Sequence, residues 1–236
     1  MVYRHLKGRC EVLVYDNDPK RVRGCEESVS FEEVVLADLL VLSVPISAIR
    51  GLCEKIAPHL KAGQIVVDTC SVKENPMRWM EERLPPGVGI LGTHPLFGPD
   101  SGKDGIAGLK IALCPLRVEP ARYREICTFL RSLELVLVET TAEEHDRQIA
   151  LSQAIFHLIA QAMKRLEWGV KPISTPGPEN FYRLVKTVQR DTEQLFNDME
   201  RENPYAAEYR REFIDQMQKL DQELRSRRED GRRSRS

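Results

Sequence analysis

Short, continuous apolar runs alternate with helical patterns over residues 1–140, and this alternation constrains the fold more than any other feature. Residues 11–15 (Glu-Val-Leu-Val-Tyr), 39–44 (Leu-Leu-Val-Leu-Ser-Val), 65–68 (Ile-Val-Val-Asp), 89–92, 110–114 and 134–139 read as strands. Between them, 31–35, 46–59, 75–83 and 121–133 read as helices. Strands that are apolar on both faces belong in a sheet covered on both sides, and interleaved helices make such a sheet mostly parallel. The expected class is α/β: a doubly wound, Rossmann-like sheet of the dinucleotide-binding kind.

From residue 142 only helical patterns remain. Residues 145–168 are apolar almost all round, which predicts a helix buried in a helical domain or an interface. Gln153, His157 and Lys164 recur near one face of it. Burying polar groups without partners costs a few kcal/mol each, so the stripe calls for a reason, although a single core histidine bonded to a carbonyl is the plain alternative. Residues 181–200 and 206–224 predict two further amphipathic helices, joined to the first by a connector at 171–178 that carries three prolines. The Arg-rich residues 226–236 have nothing to bury and read as a solvated, disordered tail. The expected organisation is therefore 1–140, 141–225 and 226–236.

Composition narrows the partners. The net charge of −1 exerts no global pull on nucleic acid. Six cysteines without a Cys-x-x-Cys pair or a histidine at ligand spacing read as reduced thiols, with neither a disulfide framework nor a metal site. The apolar stretch 34–49 is interrupted by Asp38 and Pro45, so no membrane span is expected. These features suggest a soluble, cytoplasmic protein.

Four strings carry chemistry. His94-Pro-Leu-Phe-Gly-Pro99 places a histidine directly after a predicted strand, in a turn stiffened by two prolines. An imidazole aimed by a rigid turn suits proton transfer near neutral pH. A lone histidine there is more simply structural, but upstream lies Asp68-Thr-Cys-Ser71-Val-Lys73. Cys70 in that string reads as packing. Downstream come Glu144-His-Asp-Arg-Gln148, leading into Gln153-Ala-Ile-Phe-His157, and then Tyr182-Arg183-Leu184.

Taken in order, these strings closely resemble the prephenate/arogenate dehydrogenase family of tyrosine biosynthesis, over about Glu11 to Leu224. The resemblance implies NAD-dependent oxidation of a cyclohexadienol with loss of its ring carboxylate as CO2. It implies His94 as the base and Ser71 as a hydrogen-bonding bridge to it. Arg183 would bind a substrate carboxylate, and His157 with Gln153 would line the substrate side. Asp16, after the strand-like 11–15, would hold the adenosine ribose and favour NAD over NADP, although Asp16-Asn-Asp-Pro19 is also plain turn chemistry. Val44 and Pro45 would lie under the nicotinamide-side ribose. The helical part would bind substrate and form a homodimer.

The family's sheet begins with a strand and a Gly-rich phosphate loop, and residues 1–8 resemble the end of the helix that comes after them. The resemblance thus places that strand and loop upstream of Met1. Two other readings remain open. One is a silent, dimerising remnant that binds a ligand without turning it over. The other is a β-hydroxyacid dehydrogenase using Lys164, which leaves the His94 turn unexplained.

Overall fold

A computed structural model describes residues 2–166, 169–188 and 191–233. The chain divides into two compact units, Met1–Asp146 and Arg147–Ser236, so the division falls shortly after the expected residue 140. The first unit opens with two short helices, α1 (Val2–Leu6) and α2 (Phe31–Val34). Its sheet has five strands, β1 (Leu39–Leu42), β2 (Ile65–Asp68), β3 (Gly89–Pro95), β4 (Lys110–Arg117) and β5 (Val136–Glu139), neighbouring one another in sequence order. Only the β3–β4 pair is antiparallel; the other three pairs are parallel. A 3-10 turn (Ile46–Ala48) and α3 (Ile49–Ile56) carry the chain from β1 to β2, α4 (Glu74–Arg83) from β2 to β3, and α5 (Pro120–Ser132) from β4 to β5. This is the mostly parallel, Rossmann-like sheet that the apolar strands predict.

All four residues of β2 are buried, as a strand covered on both faces requires. Ile49, Val66, Ile90 and Leu91 are sealed from solvent, each burial stabilising the unit by roughly 1.5–3 kcal/mol. Gly92 has a packing reason. A Cβ there would stand 2.5 Å from Met77 Sδ and 3.3 Å from Lys73 Cδ, so the missing side chain makes room for α4 and for a buried lysine stem.

Two expectations for this unit need correction. Residues 11–15 form no sheet strand; Val14 makes a single bridge to Ser28, with its N–H donating to Glu27 O at 2.8 Å. A strand is stable only where neighbours take its N–H and C=O groups, and among the described residues none flanks this segment on a sheet. In addition, β3 runs on to Pro95, so His94 lies within the strand rather than in the turn after it. The antiparallel partner explains this: His94 pairs with Ala112, and Leu96 N donates to Lys110 O at 2.9 Å.

Entry to the helical unit is through α6 (Ala142–Ile149), a π-helical turn (Ala150–Ala154) and α7 (Ile155–Arg165). Within the single chain Leu151 and Leu166 of this run are 61% and 71% exposed; Trp168, the end of the predicted helix, lies outside the described residues. The predicted helix 181–200 is instead two, α8 (Pro176–Val188) and α9 (Glu193–Glu202). Thr192 starts the second by accepting Leu195 N at its Oγ1. The prolines at 176 and 178 sit in the first turn of α8, where a backbone N–H has no helical partner to lose. Ala160, Val185 and Val188 form a local core with Phe156, Met163 and Phe181 around it.

The last helix, α10, spans Ala206–Arg233 and includes most of the segment read as a disordered tail. Glu, Arg, Gln and Lys are good helix formers even without a core to cover, and Arg225 pairs with Asp221 one turn back at 2.9 Å. Polarity excluded burial there without excluding a helix. Residues 234–236 lie outside the described residues.

Candidate active site

The parallel register places Leu42, Asp68 and Gly92 in one row across β1, β2 and β3. Residues just beyond that row in each strand therefore meet at the carboxyl edge of the sheet, the usual ligand side of an open α/β fold. Val44 and Pro45 lie past the end of β1, half-buried and exposed respectively, and Ser71 is half-buried after β2. His94 lies two residues beyond the row in β3 and is only 5% exposed. Four of the anticipated residues are thus gathered at one edge.

His94 meets a partner to which sequence reasoning gave no role. Its Nδ1 lies 3.0 Å from His145 Nε2, and His145 Nδ1 lies 2.7 Å from Asp146 Oδ1. Asp146 accepts the backbone N–H groups of Lys73 at 2.7 Å and Glu74 at 2.9 Å, at the start of α4. Burial, then the neighbouring His145 and the Lys73 ammonium, hold His94 well below the usual imidazole range. His94 is therefore a neutral ring at neutral pH, able to accept a proton.

Beneath this chain lies a second buried group. Lys73 and Asp68 are completely enclosed and form an ion pair, and Lys73 Nζ also donates to Thr93 O at 2.6 Å. Asp68 Oδ2 accepts Cys70 N at 2.9 Å, and Thr93 Oγ1 donates to Asp68 O at 2.6 Å. These bonds tie the loop carrying Ser71 to the strand carrying His94. Sequence reasoning gave no role to His145, Asp146, Asp68 or Lys73, although all four stand in the quoted strings; the available signal was charge set against apolar strands.

Asp16 does not end a sheet strand. Its Oδ1 accepts Asp18 N at 2.9 Å in an Asx turn, and Arg21 lies 3.8 Å from Oδ2. In the helical unit, Gln153 sits in the π-helical turn, a distortion common at functional sites. His157 is buried, 3.7 Å from Asp191 through Nε2 and with its Nδ1 unpartnered. Burial lowers its pKa against the opposing pull of Asp191. Arg183 is exposed on α8 with Nη1 donating to Asn180 Oδ1 at 3.2 Å. Among the described residues no cluster of His, Cys, Asp or Glu suits a metal ion, and no helix is long and apolar enough to cross a membrane.

Both depressed histidines make stability acid-sensitive. An unfolded chain protonates its histidines near pH 6.5, whereas His94 and His157 resist protonation in the fold. The unfolded state then binds more protons, so stability is full above about pH 6.5 and declines as pH falls through the folded values. Thermal melts should show a lower Tm at about pH 5 than at about pH 7. A Tm constant between them would contradict burial of neutral rings.

A Rossmann-like sheet with buried imidazoles at its carboxyl edge, succeeded by a helical unit, defines the general class. The family profile described as "Prephenate dehydrogenase, nucleotide-binding domain" matches residues 4–134, and "TYRAAT1-like, C-terminal domain" matches 162–236. The chain belongs to the prephenate dehydrogenase family. It is similar to a probable arogenate/prephenate dehydrogenase of Methanocaldococcus jannaschii, at 23% identity over 97% of this chain and 54% of that protein. It is also similar to the chloroplastic arogenate dehydrogenase 2 of Arabidopsis thaliana, at 34% identity over 71% of this chain and 46% of that one. The chain thus spans about half the length of these curated relatives. Among solved structures, prephenate dehydrogenase from A. aeolicus, in complex with hydroxyphenyl propionate and NAD+, shares the fold with a TM-score of 0.76 at 19% identity, covering 96% of this chain and 86% of that one.

Proposed function

We propose that this protein is an NAD-dependent dehydrogenase that oxidatively decarboxylates prephenate or arogenate in tyrosine biosynthesis. The observation that carries this reading is His94, a buried neutral imidazole at the carboxyl edge of the sheet, in a chain of this family. The names of the relatives support the substrate class.

The described residues fit the nicotinamide side and the adenosine ribose of the cofactor. Val44 and Pro45 lie on the same edge as His94, and the half-buried Asp16 carboxylate is suited to ribose hydroxyls and would repel a 2′-phosphate. No Gly-rich turn opening a helix is present among the described residues to cradle the pyrophosphate. Bound NAD supplies the hydride acceptor. His94 accepts the ring hydroxyl proton at Nε2, and loss of CO2 leaves an electron pair that completes the aromatic ring. The same proton then returns to the phenolate oxygen. Ser71 hydrogen-bonds the substrate hydroxyl or the cofactor. Arg183 grips a carboxylate through its planar fork, and His157 and Gln153 supply further substrate contacts.

The test is to incubate the chain with NAD+ and prephenate, or arogenate, and to monitor nicotinamide reduction together with CO2. Equal amounts of both products are expected. Failure of either substrate to reduce the cofactor, with no NAD binding by calorimetry, would sink the reading in favour of a silent ligand-binding protein. Arg183→Ala should raise KM about tenfold or more with kcat largely kept. A loss in kcat alone would remove Arg183 from the carboxylate site.

We further propose a cytoplasmic homodimer formed through the helical unit. Ile214, Met217, Leu220 and Leu224 recur three or four residues apart on α10, and each is exposed. Sedimentation at micromolar protein should show a dimer; monomer alone would refute it.

A further inference from the structure

A second buried imidazole stands behind the proposed base, held by a carboxylate that two backbone groups hold in turn. We propose that His145 and Asp146 are positioning residues forming a proton relay that fixes His94 as its Nδ1–H tautomer and so leaves Nε2 as the base. The proposal rests on the dehydrogenase reading for the use of that base, though not for the tautomer itself.

Each hydrogen bond in the chain has one direction. The Asp146 carboxylate can only accept, so the proton of a neutral His145 sits on Nδ1, 2.7 Å away. His145 Nε2 then offers a lone pair, and the group 3.0 Å from it, His94 Nδ1, must donate. His94 Nε2 is left unprotonated. Asp146 cannot easily turn aside, because it would abandon the N–H groups of Lys73 and Glu74, which begin α4 and have no helical partner there. His145 and Asp146 both belong to the first unit, so the relay is complete within the piece that carries His94.

The relay answers an electrostatic difficulty. A proton arriving at His94 Nε2 makes an imidazolium, which burial and the nearby Lys73 disfavour. Passing the Nδ1 proton to His145 Nε2 moves the cation to a ring bonded to a carboxylate. Charged groups around the pair include Lys73 from the segment before α4, its partner Asp68 from β2 and Asp146 from α6. Returning the proton reverses both transfers, so no other reactant is needed.

Nitrogen-15 NMR of the histidine-labelled full chain reads the tautomers directly, without substrate or cofactor, with His94→Gln assigning the signal. Above neutral pH, His94 should be protonated at Nδ1. Asp146→Ala removes the acceptor of His145 Nδ1 altogether, so neither ring is held and His94 should populate both tautomers. That variant should lose about tenfold or more in kcat with KM within about threefold, because part of the His94 population then carries its proton on Nε2. His145→Gln, whose carbonyl still accepts from Nδ1, should keep the tautomer and a larger share of kcat.

An Nε2–H tautomer of His94 in the unmodified chain would overturn the relay, and this measurement requires no variant to fold. So would a folded Asp146→Ala chain with unchanged tautomer and turnover. Tautomers as expected in a chain that oxidises neither prephenate nor arogenate would uphold the relay and sink the proposed reaction instead.

Discussion

His94→Asn should lower turnover of prephenate or arogenate by about 10²–10⁴-fold while changing KM only a few-fold. Asparagine is close to imidazole in size and polar, and it can still meet His145, but it cannot take a proton at any working pH. The unmodified enzyme should show a matching acid limb. His94 acts unprotonated, and its pKa is held low by burial, His145 and Lys73. Turnover is therefore full where both His94 and His145 are neutral, and it is lost at the latest as pH drops through that lowered value. Loss of the acid limb in His94→Asn, measured on the residual activity, would tie the limb to this ring. A limb that persists unchanged would assign it to another group, and a variant with near-normal kcat would remove His94 from the chemistry.

The residues differ in how plainly they announced themselves. Strands β1 to β5 were legible because their apolar runs are continuous, a pattern that few structures other than a covered sheet satisfy. Residues 11–15 carry the same pattern and are not a sheet strand, because periodicity reports what a segment could bury and not whether a neighbour exists to pair with it. His94 was legible as a candidate base, yet its position inside β3 depends on Ala112, 18 residues away and antiparallel. The π-helical turn at Ala150–Ala154 left no signal, since its residues are ordinary helix formers. His145 and Asp146 were visible as letters but silent as chemistry. Their meaning arises only when α6 brings them to β3 and to the start of α4, contacts across 51 and 73 residues of chain.

Lys73→Met should be the most damaging single change to stability, costing about 3–5 kcal/mol by stranding a buried carboxylate. Lys73 and Asp68 have no exposure, and Asp68 Oδ1 already lacks a hydrogen-bond partner. Removing the ammonium leaves Asp68 with Cys70 N on its other oxygen and no counter-charge. It also frees Thr93 O from its lysine donor. For a chain of this length the loss should lower Tm by roughly 6–20 °C. The size of the penalty should come from the orphaned charge rather than from lost packing, because methionine keeps most of the stem that lies over Gly92. Asp68→Asn in the same chain removes that charge while keeping an acceptor for Cys70 N, so the double variant should recover a substantial part of the loss. A double variant no more stable than Lys73→Met would mean that the cost lies in the lysine's bond to Thr93 O and its packing. The buried pair would then be a consequence of the loop geometry around Ser71 and not its cause.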